Sequence, residues 1–200
     1  MNTVMAHAPS FSHEAYFALE QAEDARYEYL AGEVFAMAGG SERHALISSN
    51  VLIGLGNALR ARPCRVYGAD LKLHVAEFDQ FCYPDVTVLC EPGIRRERFV
   101  EQPSLIVEVL SPSTEAYDRG MKFEHYRAIA ALNHYLLLDQ DRPHAELYSR
   151  VGDVWQLSEA NGLDGELALA SLGIHLSLAE AYRQVEFPSP GAPVQPEARV

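Results

Sequence analysis

Two acidic residues stand where apolar ones are expected. Glu108 interrupts the run Leu105-Ile106-Val107-Glu108-Val109-Leu110, and Asp85 opens Asp85-Val86-Thr87-Val88-Leu89 directly after Pro84. Apolar, β-branched runs of this length read as buried central strands. A carboxylate inside such a strand is costly unless a cation or a set of donors satisfies it. Two on neighbouring strands are the hard oxygen ligands that Mg²⁺ takes, with waters completing the octahedron. Side chains alternate along a strand, so Ile106, Glu108 and Leu110 share one face and Leu105, Val107 and Val109 the other. Singly, Asp85 reads equally well as a strand-start cap and Glu108 as an edge-strand residue facing water.

The elements that must position these acids follow from pattern. Ser12 caps a first helix that carries Tyr16, Phe17 and Leu19. Tyr27 to Leu30 and Glu33 to Met37 read as two short strands around Ala31-Gly32. A long helix is predicted from about Ser41 to Arg60, with His44, Ile47, Val51, Leu55 and Ala58 on one face. Strands are predicted at Arg65 to Tyr67, Leu71 to Val75, Asp85 to Leu89, Leu105 to Leu110 and His134 to Asp139. Ser113 or Thr114 caps a helix of roughly Glu115 to Ala130, on which Asp118, Lys122, Tyr126 and Ile129 form a stripe. A hairpin pairs His144 to Arg150 with Val154 to Leu157 around Gly152-Asp153, and a last strand and helix end near Val185. Helices flanking a mixed sheet place the chain in the α/β (α+β) class.

Composition narrows the function. The chain has 200 residues, enough for one ordinary domain, and 48% are hydrophobic. No window approaches a membrane span, so no membrane partner is expected. The N-terminus does not read as a signal peptide. The expected organisation is an N-terminal extension over residues 1–11, one domain over 12–186 and a Pro-rich disordered tail over 187–200. Cys64, Cys82 and Cys90 are odd in number and form no C-x-x-C pair, so neither a disulfide framework nor a zinc cluster is expected, and a cytoplasmic location is. The net charge of −12 argues against coating nucleic acid, which depends on Lys and Arg. Arg95-Arg96-x-Arg98 is the most basic spot, in the loop between the two acid-bearing strands. No nucleotide-binding glycine loop or serine-nucleophile context is present.

The run Ile106-Val107-Glu108-Val109-Leu110-Ser111-Pro112-Ser113-Thr114, followed by Asp118, Lys122 and Tyr126, resembles the signature of the Uma-type restriction endonucleases, a family of the PD-(D/E)XK nuclease superfamily. Arg26-Tyr27-Glu28-Tyr29-Leu30-Ala31-Gly32-Glu33, His44 and Tyr83-Pro84-Asp85-Val86 resemble the same family, and the match spans roughly residues 12 to 186. One departure from the superfamily is plain: its Glu-x-Lys element would put lysine at position 110, which is Leu110. In the family this sequence resembles, the lysine lies on the following helix, the place Lys122 occupies.

The resemblance implies a restriction-endonuclease-like mixed central sheet flanked by helices, with additional β-hairpins. It also implies a Mg²⁺-dependent endonuclease, with Mn²⁺ as a substitute, that hydrolyses phosphodiester bonds in DNA. Asp85, Glu108 and the carbonyl of Val109 would hold the cation, which lowers the pKa of a water and neutralises charge at phosphorus. Lys122 would orient that water or stabilise the transition state. His44 and Glu33 are expected as further contributors, Glu33 being the better candidate of the two matched glutamates, Glu28 and Glu33, to reach the site. A homodimer is expected because most soluble oligomers are two-fold. The alternative is a catalytically silent scaffold or binding protein on the same fold, acting through protein partners.

Overall fold

The structure is a computed structural model, and it describes residues 10–37 and 39–187. The expected N-terminal extension up to residue 9 and the expected tail beyond Phe187 lie outside the described residues. Phe187 itself, read as tail, packs against Tyr182 with ring centroids 5.6 Å apart.

Helix α1 (His13–Glu23) starts where Ser12 accepts a hydrogen bond from the Ala15 N–H at 3.2 Å. Strands β1 (Tyr27–Leu30) and β2 (Glu33–Ala36) form a hairpin, with Leu30 opposite Glu33 and Glu28 opposite Phe35. Its two-residue turn has φ of 47° at Ala31 and 96° at Gly32, both left-handed, as a tight hairpin requires. A Cβ at Gly32 would lie 2.0 Å from the Ser10 hydroxyl, so glycine is needed there twice over. Helix α2 (Glu42–Ala58) is capped by Ser41, which accepts from the His44 N–H. It buries Ile47, Val51 and Leu55 as its spacing predicts, but the stripe ends on Leu59, while Ala58 is exposed.

Strands β3 (Cys64–Gly68), β4 (Leu73–Val75), β5 (Gln80–Cys82), β6 (Val86–Cys90), β7 (Ile94–Arg95), β8 (Val100–Glu101) and β9 (Leu105–Leu110) follow. Then come α3 (Glu115–Tyr117), a π-helical turn (Asp118–Lys122), α4 (Phe123–Tyr126), and strands β10 (His134–Asp139), β11 (His144–Val151), β12 (Val154–Asn161), β13 (Glu166–Leu169) and β14 (Ile174–Ser177), with α5 (Leu178–Ala181) last. The predicted helix from 115 to 130 is thus shorter and contains a widened turn. Thr114 is its N-cap residue, one of the two expected, but its side chain makes no capping bond, and the Ser111 hydroxyl accepts from the Thr114 N–H at 3.3 Å.

One six-stranded sheet runs β12-β11-β10-β9-β6-β3, with β9 and β10 parallel at its centre. A second runs β2-β1-β5-β4-β8-β7, and β13 and β14 form a separate hairpin. The central strands of the first sheet, β6, β9 and β10, are buried on both faces. Val107, Val109, Leu136 and Leu138 pack with α2 and α5 residues on one face. Ile106, Leu110, Tyr135 and Leu137 pack with Leu73, Val75 and Tyr126 on the other. Glu108 belongs by alternation to this second face, so its carboxylate lies between the sheets.

Cys64 and Cys90 occupy directly opposed positions on β3 and β6 and are joined by a disulfide. This corrects the expectation of three unpaired thiols. Opposed register places the two thiols together, which spacing along the chain does not reveal. The basis for expecting a reducing compartment goes with it. Cys82 is free and buried.

Candidate active site

Asp85 immediately precedes β6, and Glu108 lies near the end of the adjacent, antiparallel β9. Each side chain reaches the backbone of the other's strand end. The Asp85 Oδ2 accepts from the Val109 N–H at 2.7 Å, and the Asp85 N–H reaches Glu108 Oε2 at 3.4 Å. The two strands therefore fix both acids at one place.

Lys122 closes the site from the π-helical turn. Its ammonium is 3.1 Å from Glu108 Oε1, 3.1 Å from Asp118 Oδ1 and 3.6 Å from Glu28 Oε1. Tyr126 donates to the same Glu108 oxygen at 3.0 Å. The exposed helix pair that Asp118 and Lys122 would otherwise form is excluded, because they are 2% and 6% exposed. Asp118 Oδ1 accepts no hydrogen bond, although it faces the lysine charge. Burial pushes the Glu108 carboxyl up to about 8, with the Lys122 charge pulling the other way. Burial would lower Lys122, but the carboxylates of Glu108, Glu28 and Asp118 outweigh it and hold the ammonium well above its ordinary value.

His44, at the head of α2, places Nε2 3.2 Å from Asp85 Oδ2. Burial works against its protonation, yet the hydrogen bond and charge of Asp85, the charge of Asp118 and the Val109 carbonyl raise its pKa overall. Around these groups lies a cavity of about 310 Å³. Its wall includes Phe35, Ala36, Met37, Tyr83 and Tyr117. Gln80 donates to the Tyr117 hydroxyl at 3.2 Å while its carbonyl oxygen pairs with His125 Nδ1 at 2.9 Å, fixing that side of the wall.

Of the residues picked out from sequence, Asp85, Glu108, Val109, Lys122 and His44 come together here, and Glu33 does not. Glu33 is exposed and absent from the cavity lining; Glu28 takes the place expected of it. The hairpin register is the physical reason. Glu33 pairs with Leu30 beside the turn, whereas Glu28 sits further along β1 and opposite Phe35. The two-residue Ala31-Gly32 turn carried that register signal. The Arg95–Arg98 cluster does not line the cavity. Elsewhere, His144, Glu146 and Glu159 bring three ligand atoms within 4.8 Å of one another on β11 and β12. The Arg119 guanidinium already binds Glu146 there.

The family model described as "Uma2: Putative restriction endonuclease" matches residues 13–180. The chain belongs to this family. The uncharacterized protein slr1290 of Synechocystis sp. (strain ATCC 27184 / PCC 6803 / Kazusa) is 36% identical over 191 residues, covering 92% of this chain and all of that protein. Protein sll1609 of the same organism, also uncharacterized, is 34% identical over 163 residues, covering 80% of this chain and 92% of its own length. A crystal structure described as "a putative nuclease belonging to DUF820", from Anabaena variabilis ATCC 29413, superposes with a TM-score of 0.66 at 19% identity, covering 80% of this chain and 90% of that one. That likeness bears out the α+β nuclease fold, and the family membership supports a nuclease.

Proposed function

We propose that this member of the Uma2 family is a divalent-metal-dependent endonuclease that hydrolyses phosphodiester bonds in DNA. The observation that carries the reading is a surplus of negative charge around one ammonium. Asp85, Glu108, Asp118 and Glu28 converge on Lys122 and the cavity beside it.

The donor set fits a hard cation. Asp85, Glu108 and the Val109 carbonyl offer oxygens, as Mg²⁺ and Mn²⁺ prefer. One observation agrees with a cation here: among the described residues, Glu108 Oε2 has only the long 3.4 Å contact. When bound, the cation would supply Lewis acidity toward a phosphoryl oxygen and an activated water. The protein's own groups do the rest. The Val109 N–H and His44 hold the Asp85 carboxylate in one orientation. Tyr126 and Lys122 hold Glu108. Lys122 stays protonated and aims its charge at the scissile phosphate, where charge develops in the transition state.

A silent scaffold has no use for such a surplus, which destabilises the fold unless something neutralises it. The net charge of −12 is the observation that favours that rival. Asp85→Ala separates the two. It should abolish both Mg²⁺ binding, read by calorimetry, and nicking of supercoiled plasmid. A wild type that binds no Mg²⁺ at millimolar concentration would return the chain to the scaffold reading. Two-fold pairing is part of the proposal, since most soluble oligomers are two-fold. Light scattering should give twice the chain mass, and a monomer at high concentration removes this part.

A further inference from the structure

The cavity is acidic where a duplex-binding surface would be basic. Among its described lining residues are four carboxyl groups and a single Lys or Arg, Lys122. Four carboxyl groups against one ammonium leave the lining short of positive charge, and a single divalent cation does not make it basic. Duplex affinity comes largely from Lys and Arg neutralising phosphates. The arginines that flank the lining residues in sequence are already engaged. Arg43 binds Asp141, Arg119 binds Glu115 and Glu146, and Arg26 binds Asp70.

The cavity offers aromatic surface instead. Phe35 lies opposite Glu28 on β2, an edge strand of its sheet, and is 48% exposed although it lines the cavity. Ala36 and Met37 continue that wall, and Tyr83 and Tyr117 also line the cavity. A nucleobase is uncharged and presents a π face, so stacking on an aromatic holds a strand without phosphate neutralisation. At about 310 Å³ the cavity is also at the small end of ligand pockets, which run from roughly 300 to 1,000 Å³. Glu108, Asp118 and Lys122 are each more than nine-tenths buried at its floor. A nucleotide unit that enters must leave its stack, which costs least when it is already unpaired.

We propose that the site takes an unpaired nucleic-acid strand, with one base stacked on Phe35, in preference to intact duplex. This rests on the nuclease reading and narrows its substrate. The test uses the full chain with Ca²⁺ in place of Mg²⁺, so that the cation site is filled without turnover. A fluorescent single-stranded DNA oligonucleotide, and the same strand annealed to its complement, are titrated by anisotropy. The single strand should bind at least about tenfold tighter. Phe35→Ala should weaken single-strand binding roughly 5- to 150-fold, the range for losing one stacked base, and Phe35→Trp should preserve it. The side chain is half-exposed, so both variants should fold. Duplex bound as tightly as single strand would overturn the proposal and leave the nuclease reading standing. An unchanged Phe35→Ala affinity would overturn it equally. Binding of neither nucleic acid, with cation binding intact by calorimetry, would defeat the nuclease reading itself and this proposal with it.

Discussion

Two buried lysines divide the molecule into two kinds of polar interior. Lys72 is 5% exposed and, among the described residues, pairs with a single carboxylate, Glu20. That carboxylate is fully served, because the Tyr16 and Tyr83 hydroxyls donate to Glu20 Oε1 along with the Tyr27 N–H. The Lys72 ammonium lies 4.4 Å from the ring centroids of both Tyr16 and Phe17. Burial lowers its pKa more than Glu20 restores it. Lys122 is as buried, yet it faces three carboxylates and its pKa is raised. Burial is common to both clusters. The balance of charge separates them: one lysine is matched to its partner, and the other is outnumbered, which leaves room for a further cation. Tyr83 stands between them, donating to Glu20 and lining the cavity.

The sharpest way to break this comparison is to remove each lysine in turn. Lys122→Ala should slow cleavage on the order of 10²–10³-fold, the usual loss for one charge-stabilising donor. Metal affinity should be kept or slightly raised, since an ammonium is not a ligand and repels the cation. Lys72→Ala should cost about 3–5 kcal/mol in urea unfolding, because Glu20 is left buried and unpaired. If Lys122→Ala cuts at the wild-type rate, the two clusters are of one kind and the mechanism is wrong.

A smaller effect sharpens the same contrast through pH. Burial raises the Glu108 carboxyl from its ordinary value of 4.5 to about 8. Between these two values the folded, cation-free chain holds a proton that the unfolded chain has lost. Glu108 therefore contributes stability below pH 4.5 that is lost as pH rises through about 8. Cation binding must expel that proton, so Mg²⁺ affinity should climb roughly tenfold per pH unit below pH 8 and level off above it. Calorimetry at pH 6, 7 and 8 reads this slope as about 1.4 kcal/mol per unit. Glu108→Gln should abolish binding, and Glu20→Gln should leave the slope intact. A flat profile in the wild type would mean that Glu108 is ionised without the cation.

Much of the site was legible because it depends on residue types in long, regular elements. Asp85 and Glu108 break apolar runs, and alternation puts Glu108 with Ile106 and Leu110, the face on which it lies. The eight-residue strands β11 and β12 announced themselves by pattern around Gly152-Asp153. What stayed hidden depends on register. Glu28 and Glu33 differ only in their distance from a two-residue turn. Cys64 meets Cys90 only once β3 is set against β6. The second sheet is built largely from strands of two to four residues, too short to show a period.

The π-helical turn at Asp118–Lys122 was the least legible element, and it sets a constraint of phase. An ordinary α turn advances each residue by about 100° around the axis. Upstream, the segment must present Asp118 to the acids; downstream, it must seat Phe123 and Tyr126 against Tyr135. A widened turn absorbs the angular mismatch between these two demands, and such turns recur at functional sites. Gly120, inside it, has open space where a side chain would go. The segment can therefore accept a bulkier residue at 120 more readily than it can lose one. Shortening the turn by one residue would rotate either the ammonium or the aromatic pair away by about 100°, so the length of this turn matters more than its composition.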